Sequence, residues 1–157
     1  MEPIQKADPS IYPKMRENAL KIRLDNLPAD SVHAILMDWD IGNGTVTVLA
    51  AADGTASIYL SSGGGFIGGS QKFPEIRDAA LRAIQLAADL ISQFKPAKTT
   101  GLPGEGEIYF YLTTSAGVFR AVATEESLSD GSDPLADLGA IMQDIVSEYR
   151  SRFPDPD

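Results

Sequence analysis

The sequence predicts an α+β domain: a single five-stranded antiparallel sheet with flanking helices, in the order α-βββ-α-ββ-α. Three observations carry this. First, between His33 and Gly69 the apolar residues alternate at period two in three runs, Ile35/Met37/Trp39, Val46/Val48/Ala50 and Ala56/Ile58/Leu60. Second, these runs are separated by Asn43-Gly44 and Asp53-Gly54, dipeptides that accept positive φ at little cost and so predict tight hairpin turns. Third, Ile76, Ala80, Ala83, Ile84, Ala87, Ile91 and Phe94 recur at spacings of three and four, which marks one long amphipathic helix. Hairpin-linked strands, then a helix, then more strands place the helices apart from an antiparallel sheet.

Residues 1–12 contain Pro3 and Pro9 and little periodicity, which predicts an irregular arm. Pro13 suits the first position of a helix, where a missing N–H costs nothing. Met15, Ala19 and Ile22 continue that helix, with Leu20 and Leu24 beside them, and it stops before Pro28. The three-stranded meander follows, with one buried face, and then the glycine-rich loop SSGGGFIGGSQK. Pro74 opens the long helix, with Glu75 and Asp78 near the positive end of its dipole, and Lys95-Pro96 ends it. Residues 96–106 are a loop by composition.

The run from Ile108 to Thr114 is aromatic and β-branched; Ala116-Gly117 turns it back into Val118 to Thr124. SLSDGSD reads as a loop whose Asp133 caps a final helix, with Pro134 just inside. Leu135, Leu138, Ile141, Met142, Ile145 and Tyr149 form that helix's apolar face. One domain spans residues 13–153, and residues 154–157 are a frayed tail.

This succession of elements resembles the roadblock/LC7 group within the wider profilin-like architecture. The likeness covers roughly Pro13 to Arg150 and rests on element order. Three strands precede the central helix here and two follow it, where the roadblock pattern has two and three. The resemblance implies a non-enzymatic dimer that scaffolds or regulates a partner such as a small GTPase.

Composition narrows the function further. At 157 residues and 43% hydrophobic, the chain suits one core. It has no cysteine, so disulfides, thiolate nucleophiles, cysteine-based zinc sites and iron–sulfur clusters are excluded, and a reducing cytoplasm is the expected compartment. MEPIQKADPS has neither the basic nor the apolar region of a secretory signal. The apolar runs fall short of the roughly 18 residues that a membrane span needs. A net charge of −9 without clustered Lys and Arg argues against nucleic acid and anionic membrane surfaces.

Several motifs invite chemistry. DIGNGT, from Asp40 to Thr45, resembles the first phosphate loop of actin-like and sugar-kinase ATPases. Those enzymes need a second phosphate loop on another domain, and no second copy is found; turn chemistry alone accounts for these residues. Asp38 and Asp40 stand two apart on a strand and point to one face; two acids on an exposed face is the ordinary reading, and a metal site is the other. Two oxygen ligands are too few for a dedicated calcium site, and Gly42 falls where the EF-hand pattern needs a third. Gly63 to Gly68 satisfies G-x-G-x-x-G on paper, but the strand before it belongs to an antiparallel meander. A softer reading is an anion nest formed by the amides of Gly63, Gly64, Gly65, Gly68 and Gly69 with Lys72 beside them.

Phe66 and Ile67, set among those glycines, suit a contact that forms on association. Tyr109 and Tyr111 point away from Ile108, Phe110 and Leu112, and form a second interaction surface if no helix covers them. His33 shares a face with Ile35 and Met37 and reads as a packing residue; no catalytic constellation is assigned. The chain thus reads as a non-enzymatic protein-interaction domain, scaffold or regulator, that forms a homodimer and binds an unknown protein. No cofactor is implied. The alternatives are a small-anion or ligand-binding module built on the 63–69 loop and, behind it, a metal-dependent enzyme built on Asp38 and Asp40.

Overall fold

The computed structural model describes residues 3, 4 and 10–153. Its strands are β1 (Pro3–Ile4), β2 (Ala34–Asp40), β3 (Thr45–Ala51), β4 (Ala56–Leu60), β5 (Gly65–Phe66), β6 (Lys95–Pro96), β7 (Glu107–Thr114) and β8 (Gly117–Thr124). Its α-helices are α1 (Ile11–Leu20), α2 (Pro74–Asp89), α3 (Glu125–Ser129) and α4 (Ala136–Arg152), with single 3₁₀ turns at Gly69–Gln71 and Ile91–Gln93. The strands form one sheet in the order β1-β5-β4-β3-β2-β7-β8-β6, and each pairing is antiparallel.

The α+β class and the single antiparallel sheet agree with the sequence. The count of five strands does not. The five long strands are those predicted, and β1, β5 and β6 add two residues each. These additions take segments that composition marked as arm, loop and helix terminator. Pairing makes them strands, β1 with β5 and β6 with β8 across long stretches of chain and β5 with the preceding β4, and a two-residue segment carries no periodicity to announce it. The rest of the predicted N-terminal arm, residues 1, 2 and 5–9, and the predicted tail, residues 154–157, lie outside the described residues.

The meander was expected to bury one face, and it buries two. Every residue of β3 and the first five of β2 are buried. On one face Ile35, Met37, Val48, Ile58, Phe110 and Leu112 pack against α2 and α4. The alanine positions Ala79, Ala80, Ala83 and Ala87 are fully buried, which assigns this stripe to core packing. On the other face Leu36, Leu49, Ala51 and Tyr111 meet Tyr12, Ala19 and Leu20 of α1. Helix α1 is therefore a second layer for the sheet's reverse side.

Element boundaries moved for local reasons. Pro13 sits inside α1, two residues past its start, and the helix ends at Leu20, well before Pro28. The β2–β3 connection is a loop, Ile41 to Gly44, rather than a two-residue turn. Its positive φ falls on Gly42, whose N–H donates to Asp40 Oδ1, while Ile41 N–H donates to Gly44 O. Helix α2 starts on Pro74 as predicted but ends at Asp89, so Ile91 is exposed instead of extending the stripe. Helix α4 starts at Ala136; Asp133 closes a turn before it, accepting from Leu135 N–H and from Ser127 Oγ. Helix α3 runs into the start of the predicted SLSDGSD loop and is fixed by a reciprocal cap between Thr124 and Ser127.

Candidate functional site

Asp38, expected on an exposed face, is completely buried. Its β2 position points it under α1, where the Arg16 guanidinium meets it: Nη2 lies 2.6 Å from Oδ2 and Nε 3.1 Å from the same oxygen. Thr47 Oγ1 donates to Oδ1, and the Tyr12 hydroxyl lies 2.6 Å from Thr47 Oγ1. The same guanidinium donates to the carbonyls of Thr100 and Gly101, and the Tyr111 hydroxyl donates to Gly101 O. Five segments of the chain thus converge on one carboxylate, whose oxygens are already engaged by Arg16 and Thr47. Burial alone would lower the Arg16 pKa, and the Asp38 hydrogen bonds and charge more than offset this, leaving it raised. Asp40, the other predicted ligand, turns into the β2–β3 loop and accepts from Gly42. Among the described residues, no group of three or more His, Asp or Glu side chains is placed to hold a metal ion.

His33 is buried, and its Nδ1 accepts from the Leu24 amide, so this nitrogen holds the chain before β2.

The tyrosines that anchor the two layers titrate late. Burial pushes the Tyr12 hydroxyl up to about 12, against the opposing Thr47 hydrogen bond. Burial likewise pushes Tyr149 up to about 12, against the hydrogen bond from Gly69 N–H. In the unfolded chain both release protons near 10, so between pH 10 and 12 the folded state binds more protons than the unfolded state. Stability therefore falls as pH rises through this window, by up to about 1.4 kcal/mol per pH unit for each tyrosine. Burial raises Tyr59 and Tyr111 as well, so urea midpoints measured from pH 9 to 11.5 are expected to show this decline, and Tyr12→Phe to make it shallower without removing it.

The glycine-rich segment is ordered within the fold. Gly65 and Phe66 form β5 between β4 and β1. Gly63 N–H donates to Leu60 O and Gly69 N–H to the Tyr149 hydroxyl, so two of the predicted anion donors already have partners. Gly64 supplies the carbonyl that accepts from Leu60 N–H, and Gly68 takes positive φ at the entrance to the 3₁₀ turn. Phe66 stacks on Tyr149 at 5.4 Å between ring centroids and lies beside Phe153, an intramolecular contact in place of the expected external one. Ile67 remains exposed, and the Lys72 ammonium sits 5.7 Å from the Phe73 ring centre.

The two tyrosines of β7 part company. Tyr111 is fully buried under α1 and the 97–101 segment, so it forms no interaction surface: that reading required the face to lack a helix, and α1 covers it here. Tyr109, two residues along, is only partly covered and carries Arg120 over its ring at 5.0 Å. Opposite Tyr109 on β8 is Val122, 48% exposed.

Here the sheet has an open edge. Strand β6 pairs with Phe119 and Arg120 alone, and Ala97 N–H donates to Val118 O. Since Val118 O faces away from β7, alternation along an antiparallel strand turns the N–H and C=O of Arg120 and Val122 outward too; Arg120 faces Lys95 of β6, and Val122 lies past the end of that strand. Beyond Val122 no strand follows among the described residues. A depression of about 390 Å³ runs along this edge, lined by Lys95, Lys98, Arg120 and Val122 among others. Lys95 and Lys98 are exposed, and neither they nor Arg120 pairs with a carboxylate among the described residues. Sequence reading missed this cluster, because Lys95 and Lys98 stand far along the chain from Arg120 and only the β6–β8 pairing brings them together.

No family model matches the chain, and neither the curated proteins nor the solved structures contain a match to it. Among the described residues, no helix is long and apolar enough to cross a membrane.

Proposed function

We propose that this chain is a protein-interaction domain that binds an extended acidic segment of a partner along the open edge of β8. The observation that carries the reading is the outward-facing backbone of Val122 flanked by three cations without ionic partners among the described residues. Adding a strand to a sheet edge draws affinity from main-chain hydrogen bonds and selectivity from alternate side chains. Lys95, Lys98 and Arg120 supply that selectivity. On a chain of net charge −9, they form a local basic site where an acidic segment can dock. Lys95 and Pro96 also blunt the edge beside Arg120, and a second copy would bring the same cations against themselves. This argues for an acidic partner over self-pairing. The polar groups that suit catalysis, Asp38 and His33, serve instead as internal ties.

The test is fluorescence anisotropy with a labelled ten-residue peptide alternating Glu and Val, beside its Lys-for-Glu counterpart. The acidic peptide is expected to bind and the basic one not. Lys95→Glu with Lys98→Glu, both exposed, should weaken binding at least about tenfold without changing the melting temperature. Equal binding of the two peptides, or unchanged binding by the double variant, overturns the reading. Light scattering on the same samples tests the homodimer expected from the sequence: a dimer that blocks the peptide also overturns it.

A further inference from the structure

A second, separate cavity of about 490 Å³ lies where the far ends of β2 and β7 meet the α3–α4 pair. Its floor is Met37, Trp39 and Ile108; Trp39 and Ile108 are direct cross-strand partners. Its roof is Leu128 of α3, which rests on Gly139 in the interior of α4. A Cβ at Gly139 would come within 3.2 Å of Leu128 Cδ1. Glycine inside a helix costs about 1 kcal/mol relative to alanine, and here it lets α3 approach α4 closely enough to wall the cavity.

Glu125, at the start of α3, is the one charged side chain among the lining residues. Its Oε1 accepts from Trp39 Nε1 at 2.6 Å, which fixes the carboxylate beside the apolar floor. Its Oε2 accepts no hydrogen bond from a described residue and remains available to a ligand. Size, apolar lining and few polar groups match a small-molecule site.

We propose that this cavity binds a small lipophilic cation, an amine whose hydrocarbon body lies over Met37, Ile108 and Leu128 and whose ammonium donates to Glu125 Oε2. Charge decides the class. An anion entering here would face Glu125 with no lining cation to offset it, whereas an ammonium gains a charge-assisted hydrogen bond and the face of the Trp39 ring.

Trp39 is the only tryptophan of the chain, so its fluorescence reports the site directly. The intact protein is titrated with octylamine, octanol and octanoate, each below its micelle concentration. Octylamine should give a saturable change in Trp39 emission, octanol a change at about tenfold higher concentration, and octanoate none. Glu125→Gln should bring octylamine to the affinity of octanol and leave octanol unaltered. Ala136→Phe, which fills the cavity from α4, should abolish both, with circular dichroism confirming the fold. Equal binding of octanoate, an octylamine preference that survives Glu125→Gln, or no saturable signal from octylamine overturns the proposal. The β8 edge takes no part in this site, so the outcome does not bear on the peptide reading.

Discussion

Asp38→Ala is expected to lower the unfolding free energy by about 3–5 kcal/mol, read from urea denaturation at pH 7. The lost attraction is the smaller part of this. Arg16 would be left with its side chain one-tenth exposed and no counter-charge, and Thr47 would lose the acceptor for its hydroxyl. Removing one member of a buried pair strands the other in a medium of low dielectric, and that penalty dominates. The double variant Arg16→Met with Asp38→Leu is accordingly expected to recover much of the loss, because no unpaired charge remains. Thr100 O and Gly101 O would still lose donors, but both residues are exposed and water can replace them. A single variant as stable as the native chain would show that the pair does not anchor α1.

Gly65→Ala has the next largest expected effect, about 4 kcal/mol. Gly65 sits at φ +146, and a Cβ there would overlap the carbonyl oxygen of Ile58 on the neighbouring strand. Backbone strain contributes about 1–3 kcal/mol and overpacking a similar about 1–3 kcal/mol. The obstacle is main chain and cannot swing aside as a side chain tip would. Relief requires β5 to separate from β4, which takes Phe66 away from Tyr149. Melting temperature and tyrosine near-ultraviolet dichroism should fall together. Gly101→Ala is the control: its φ lies outside the left-handed region and nothing lies within 4 Å of the added carbon, so its effect should stay within about 0.5 kcal/mol.

Both variants probe features that the sequence concealed. Asp38 alternates with Trp39 as a solvent-facing strand residue would, and nothing nearby announces that Arg16 will cover it. The pair becomes visible only when α1 lies across β2. The glycine-rich segment looked open because glycine permits many conformations. What fixes it is the close approach of β4, which only a residue lacking Cβ allows, and the Tyr149 hydroxyl reaching Gly69 from a helix 80 positions away in sequence. For the functional surface, Tyr109 and Tyr111 read alike by alternation; α1 and the 97–101 segment cover one and stop short of the other. The cavity beside Trp39 had a weak local signal in Thr124 and Ser127, whose spacing suits a helix cap, but its existence depends on α3 folding back onto α4.

By itself the sequence determined the α+β class, the five long strands with their neighbours in the hairpins, and the amphipathic helices α2 and α4. These are local properties: period two or period 3.6 states which side of an element is apolar, and turn residues state where the chain reverses. Tertiary structure alone decided that the sheet is covered on both faces, that three short segments extend it, that a carboxylate is buried against an arginine, and that one edge stays open beside three cations. Each depends on which distant segment comes to lie against a given surface. Burial and pairing set by such non-local contacts leave no period in the residues that make them.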